Sequence, residues 1–196
     1  MRFRDLNIFT KLFNFLSPEK TPLRLYILGL DMAGKSTFVN YLKLGEFTSP
    51  LQTMGINVEK IKQNGLDLNI IDLGGQDSFR TVLWPKVLET GADAILFVVD
   101  ATSKERMITN EEEFEKLLSS PKLKSVPVIV LANKQDLPNA LSPGEISLQM
   151  NLLDYTFIKN NWEGRSLNIF PTSMKTGQGI EDVVKLLKQI YKDKNN

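Results

Sequence analysis

Gly29-Leu30-Asp31-Met32-Ala33-Gly34-Lys35-Ser36 follows the apolar run Leu23–Leu28 and leads into a helical pattern over Lys35–Leu44. A glycine-bounded loop between strand and helix, closed by Lys-Ser, has the form of a phosphate loop in its required setting. Glycine lets the backbone wrap around phosphates, and the helix N-terminus directs N–H groups at them. Asp31, Met32, Ala33, Gly34, Lys35, Ser36 and Thr37 are the candidate phosphate contacts. Among them, Lys35 would neutralise the β- and γ-phosphates and the Ser36 hydroxyl would ligate magnesium.

Further strands and helices alternate outward from this loop. Ala94–Val99, Val126–Ala132 and Leu167–Phe170 read as buried strands, and Lys104–Ser119, Ser142–Leu153 and about Ile180–Lys192 as helices. The last places Ile180, Val183, Val184, Leu187, Ile190 and Tyr191 on one face, with Glu181 and Asp182 at its start and lysines at its end, as the helix dipole prefers. Ile56–Lys62 and Leu66–Asp72 flank Asn64-Gly65, the strongest short hairpin signal. The expectation is an α/β fold: a mostly parallel six-stranded sheet with one antiparallel edge strand and helices on both faces.

Two more motifs follow apolar runs. Asn133-Lys134-Gln135-Asp136 comes after Val126–Ala132. A carboxylate at Asp136 accepts two hydrogens from guanine, from its ring N–H and exocyclic amine. Adenine offers no such pair and would leave the acceptor unpaired, a difference worth roughly 10⁴-fold. Lys134 would lay its aliphatic stem over the base. Asp72-Leu73-Gly74-Gly75-Gln76 closes the other strand of the hairpin. Asp72 would hold magnesium through a water, Gly75 would offer its N–H to the γ-phosphate, and Gln76 would orient the attacking water. Lys35 and Gln76 are the candidate catalytic residues. The three motifs together specify GTP as substrate and GDP as product.

Composition narrows the field. The 196-residue chain is 42% hydrophobic and 24% charged, in keeping with one globular domain. A net charge of +1 argues against a nucleic-acid binder with a large basic footprint. There is no cysteine, which excludes disulfides, thiolate metal sites, prenylation and palmitoylation, and no histidine to serve as a general base. No apolar run approaches the roughly 20 residues that span a bilayer.

Gly29–Ser36, Thr53-Met-Gly-Ile-Asn-Val-Glu59, Asp72-Leu-Gly-Gly-Gln-Asp77 and Asn133-Lys-Gln-Asp-Leu-Pro-Asn139 resemble the ADP-ribosylation-factor (Arf) branch of the small GTPases, from about Asn7 to the last helix. The resemblance implies the small-GTPase phosphate-loop fold and a Mg²⁺-dependent switch that hydrolyses GTP slowly. It makes Thr53 the switch threonine that ligates magnesium only with GTP, and Ser173, Met174 and Lys175 the second guanine-side loop. It implies an exchange factor, a GTPase-activating protein and effectors as partners of a monomer. Asp31 stands where many other small GTPases carry glycine, and its charge is expected to slow hydrolysis or deter a partner's arginine. The chain departs from the family in several places. Gln52 precedes the switch threonine instead of proline, and Gln76 to Trp84 is one residue longer than usual. Ile56, Ile71 and Val87 replace aromatic positions often used for effectors.

Residues 1–20 are expected to form an amphipathic N-terminal helix and linker ahead of a GTPase domain at 21–196. Asn7, Thr10, Lys11 and Asn14 make one polar stripe, while Leu6, Ile8, Phe9, Leu12, Phe13, Phe15 and Leu16 cover the opposite half. Each large side chain is worth about 1.5–3 kcal/mol when buried, so this face requires cover. It would pack permanently on the core, or insert into a membrane interface with Arg2, Arg4 and Lys11 against anionic lipid. The resemblance implies both in turn: docked with GDP, released to membrane with GTP. Arg2 stands where the family's myristoylated glycine would be, and without cysteine there is no second lipid, so any membrane binding would be weak and reversible or aided by a partner. Asn7, Lys11 and Asn14 interrupt the apolar core that a secretory signal needs, and the expected location is cytoplasmic, reversibly peripheral. The main rival is a GTP-binding scaffold that seldom hydrolyses, with the helix permanently docked and Gln76 poorly placed by an altered loop Ser78–Leu83. A nucleotide or metabolite kinase is more distant, since no second substrate lid is evident.

Overall fold

The computed structural model describes residues 20–48, 55–63, 65–152 and 166–196. Six strands, β1 (Leu23–Leu28), β2 (Ile56–Gln63), β3 (Leu66–Leu73), β4 (Ala94–Asp100), β5 (Val128–Asn133) and β6 (Leu167–Pro171), form one sheet in the order β2-β3-β1-β4-β5-β6. Only β2 runs antiparallel, against β3, as the Asn64-Gly65 hairpin signal predicts. Among the described residues the α-helices are α1 (Lys35–Leu44), α2 (Asp77–Leu88), α3 (Met107–Leu118), α4 (Pro143–Gln149) and α5 (Ile180–Lys194).

Strand alternation divides the core. Leu25 and Ile27 of β1 face one side with Phe38 and Val39 of α1 and Ile180, Val183, Leu187 and Tyr191 of α5. Tyr26 and Leu28 face the other with Trp84 of α2, Phe114 and Leu117 of α3 and Ile146 of α4. Both faces of β4 and β5, and of β1 apart from exposed Arg24, are covered, which is why these strands read as largely apolar runs. Phe97 of β4 meets Phe114 edge to face, with ring centroids 5.2 Å apart. The register pairs Ile27 with Asp72 and Asp100 with Asn133. The strand ends bearing the motifs therefore share one edge of the sheet.

Several boundaries differ from the sequence expectation. The stretch read as a loop, Ser78–Leu83, lies within helix α2, which begins directly after Gln76. Its apolar residues follow no clean helical period, and Pro85 inside it reads as a breaker. Packing decides otherwise: Trp84 and Leu88 are buried, and the Trp84 indole donates to the Gly74 carbonyl at 3.2 Å. Strand β5 starts at Val128 rather than Val126, because Pro127 has no N–H and the Val126 N–H closes a turn onto Leu123. The helix expected from Lys104 opens with a 3₁₀ turn, Lys104–Arg106, before α3. Helix α4 stops at Gln149, ahead of Asn151 in the left-handed region at φ 49°, short of the expected Leu153. Its start matches, with Ser142 and Glu145 forming a reciprocal capping box.

Candidate functional site

The phosphate loop joins β1 to α1. Gly34 sits at φ 105°, and a Cβ there would lie 2.3 Å from Asn133 Nδ2. Only glycine satisfies both the backbone angle and the contact. Lys35 is 6% exposed and donates to the carbonyls of Gly29 at 2.9 Å and Leu30 at 2.8 Å. Burial lowers its pKa to about 8, against the opposing pull of Asp72 and Asp31. An anion in the loop would favour the charged form. Met32 is exposed at φ 64°, Ala33 is buried, and Ser36 and Thr37 are half-buried in the first turn of α1.

Ser36 Oγ donates to Asp72 Oδ2 at 2.5 Å, and Asp72 is fully buried at the end of β3. This hydroxyl–carboxylate pair beside Lys35 fits a small hard cation with oxygen ligands. Among the described residues no group of three or more His, Cys, Asp or Glu could hold a metal. Magnesium fits such a sparse site, because phosphates and waters supply most of its shell. Thr53, its further expected ligand, lies outside the described residues.

Gly75 presses against the phosphate loop. Its carbonyl accepts from the Asp31 N–H at 3.1 Å and from Arg80 Nη1 at 2.7 Å. A Cβ on Gly75 would lie 2.3 Å from Asp31 N and from the Leu30 carbonyl carbon, so no other residue fits this approach. The Gly74 N–H donates to the Gly55 carbonyl at 2.8 Å, linking the segment to the start of β2. Gln76 is half-buried at the N-cap of α2.

At the other end, Asn133 ties two loops together. Its Nδ2 donates to the Ala33 carbonyl at 2.8 Å, and its Oδ1 accepts from the Met174 N–H at 3.2 Å. Asp136 Oδ1 accepts from Ser173 Oγ at 2.7 Å, with Lys175 Nζ 3.9 Å from its other oxygen. Met174 is buried in the core. Lys134, at φ 71°, places its ammonium on Asp100 Oδ2 at 2.6 Å.

Sequence reasoning missed Asp100, Arg80 and Arg106. Asp100 ends a strand at the motif-bearing edge, a signal that was available. Arg80 lies on the missed helix, buried against Glu113. Arg106 has no local signature; its guanidinium pairs with the Asp31 carboxylate. Burial alone would push Asp31 up, but the Arg106 hydrogen bond and charge outweigh it and hold the carboxyl below its usual range. Asp31 is therefore not the isolated negative charge that the sequence suggests. Of the altered effector positions, Ile56 is exposed, while Ile71 and Val87 pack partly on the core. Leu6, Ile8, Phe9, Leu12, Phe13 and Leu16 lie outside the described residues. Among those described, no helix is long and apolar enough to cross a membrane.

Comparison with known proteins places this geometry. The profile of the ADP-ribosylation factor family matches residues 9–191. ADP-ribosylation factor-like protein 1 of Saccharomyces cerevisiae is 38% identical over 187 residues, covering 95% of this chain and 97% of its own. ADP-ribosylation factor J of Dictyostelium discoideum is 39% identical over 174 residues, covering 89% and 87%. The Arl6 BBS3 small GTPase of Trypanosoma brucei, solved with the nucleotide analogue GppNp, superposes with a TM-score of 0.76. At 24% identity, over 89% of this chain and 99% of that one, it shows a shared fold.

Proposed function

The chain is a GTPase of the ADP-ribosylation factor family, and we propose that it works as a magnesium-dependent switch with guanine read by Asp136. The observation that carries this reading is Asn133, whose amide bonds the phosphate loop and the Ser173–Lys175 loop at once. Base-reading and phosphate-binding segments are thereby held in one rigid frame. Ser173 Oγ donates to the Asp136 carboxylate from one side, which would help orient it for the two guanine donors.

In the proposed reaction, Lys35 and the N-terminus of α1 hold the phosphates, and Gln76 orients a water for in-line attack on the γ-phosphorus. Ser36, Thr53 and, through a water, Asp72 would hold magnesium, which supplies charge neutralisation at the β- and γ-phosphates. The switch would lie in Gly75. Its carbonyl occupies the Asp31 N–H, and a γ-phosphate would compete for the N–H groups of both segments. Burial of Lys35 strengthens this competition, because a desolvated ammonium gains more from a phosphate than an exposed one does.

The N-terminal amphipathic segment would report the nucleotide state. A cavity of about 300 Å³ lies between the β2–β3 hairpin and the helices, lined by Leu42, Ile61, Leu66, Leu68, Ile180 and Val184. Lys43 and Gln63 also line it; the apolar part of the lining would suit a docked apolar helix face with GDP, and sliding of the hairpin would close it with GTP. Exchange factor, activating protein and effectors follow from the family as expected partners.

Displacement of a fluorescent guanine nucleotide tests the reading. GTP should outcompete ATP by several orders of magnitude, and Asp136→Asn should shift preference toward xanthine nucleotides. Equal competition by ATP would end the guanine assignment.

A further inference from the structure

Arg106 reaches the phosphate loop from an element 75 residues away in sequence. Its Nη1 donates to the Asp31 carbonyl at 3.0 Å, and its Nη2 pairs with the Asp31 carboxylate. The turn carrying it is itself fastened. Asp100 accepts from the Thr102 N–H at 3.0 Å, from Thr102 Oγ1 at 2.7 Å and from Ser103 Oγ at 3.2 Å. The same carboxylate takes the Lys134 ammonium at 2.6 Å. Residues 100–106 thus grip the phosphate loop with a cation at one end and the base-reading loop with a carboxylate at the other.

We propose that Arg106 is a positioning residue for the triphosphate, compensating Asp31 so that the terminal phosphate meets Lys35 without an opposing bare carboxylate beside it. The proposal rests on the GTPase reading. A loop that receives a polyanion would be opposed by a bare carboxylate, and the opposition grows with each phosphate charge brought near it. Loss of Arg106 therefore weakens GTP more than GDP. The fork contacts a carboxylate and a main-chain carbonyl together, which a lysine ammonium reproduces poorly.

Dissociation of fluorescent GDP and of a fluorescent non-hydrolysable GTP analogue, measured on the full chain with Mg²⁺, tests this. Arg106→Gln should speed release of the analogue about tenfold and of GDP clearly less. Asp31→Asn in the same chain should restore the analogue to within about twofold of the parent, and Arg106→Lys should fall between. Asp31→Asn alone, which leaves the guanidinium unopposed, should favour the analogue over GDP and keeps the test open if Arg106→Gln fails to fold. Equal effects on both nucleotides, no rescue by Asp31→Asn, or weakened analogue binding in Asp31→Asn alone would overturn the role. So would a fall in single-turnover hydrolysis by Arg106→Gln that Asp31→Asn leaves uncorrected, which would make Arg106 catalytic. Failure of the parent to bind any guanine nucleotide would instead strike the underlying GTPase reading.

Discussion

Gln76 stands at the N-cap of α2, one residue beyond the glycine that touches the phosphate loop. A side chain at such a junction swings with the segment it begins, so water orientation depends on where Gly75 sits. No arginine lies between Leu44 and Thr53, where a finger in cis would be most natural, and Arg106 is engaged by Asp31. Intrinsic hydrolysis should therefore be slow, roughly 10⁻⁴ to 10⁻² per second. Gln76→Leu should lower it further in a single-turnover assay, and an unchanged rate would remove Gln76 from the mechanism. Gly34 gives a sharper steric test. Gly34→Ala meets both a positive φ and the Asn133 amide at 2.3 Å, so something must shift. It should cost nucleotide affinity about a hundredfold or more, read by fluorescent-GDP titration, whereas Gly45→Ala, with nothing within 4 Å, should cost far less.

Among the elements, the β2–β3 hairpin is the one proposed above to slide between nucleotide states. Strand β2 is one of the two edge strands, pairs only with β3, and exposes Ile56 and Val58. It carries Ile61 at the cavity beside α5. If the N-terminal helix covers that cavity with GDP and leaves it with GTP, anionic liposomes should retain the GTP-bound form more strongly. Added salt should weaken the share owed to Arg2, Arg4 and Lys11 and leave the apolar share, which salt does not screen. Phe9→Glu with Phe13→Glu should abolish co-sedimentation while leaving GTP binding intact. Equal partitioning of both nucleotide forms would make the helix a fixed structural part.

For the whole molecule, chain closure rests on Asp93. Its carboxylate accepts from the Arg24 N–H at 2.7 Å and from Lys194 Nζ at 2.6 Å, joining β1 to the end of α5. Lys194 also donates to the Pro22 carbonyl at 2.7 Å, and Asn195 Oδ1 accepts from the Thr21 N–H at 2.8 Å. Burial would raise the Asp93 pKa, but the Lys194 and Arg24 hydrogen bonds outweigh it and lower it. A carboxyl with a depressed native pKa stabilises the fold above its ordinary range, and the stabilisation is lost as pH falls through the native value. Asp93→Asn should cost about 1–2 kcal/mol in urea denaturation near pH 7, and progressively less below pH ~4. A difference that persists unchanged in acid would assign the cost to packing rather than charge.

The sequence by itself determined the sheet, its antiparallel edge and the three nucleotide motifs. Each of these is local: an apolar run buried on both faces, a two-residue turn signal, or a loop whose residue types must be contiguous to do their chemistry. The α5 face was equally legible, because Ile180, Val183, Leu187 and Tyr191 keep helical spacing. Helix α2 was not, since its period is weak and Pro85 interrupts it. Only the cover that Trp84 and Leu88 find on the sheet makes it helical. The Arg106–Asp31 pair, the Lys134–Asp100 pair and the approach of Gly75 to the phosphate loop were decided by tertiary structure alone. Their partners belong to different elements, and strand register, which pairs Ile27 with Asp72 and Asp100 with Asn133, brings them to one edge.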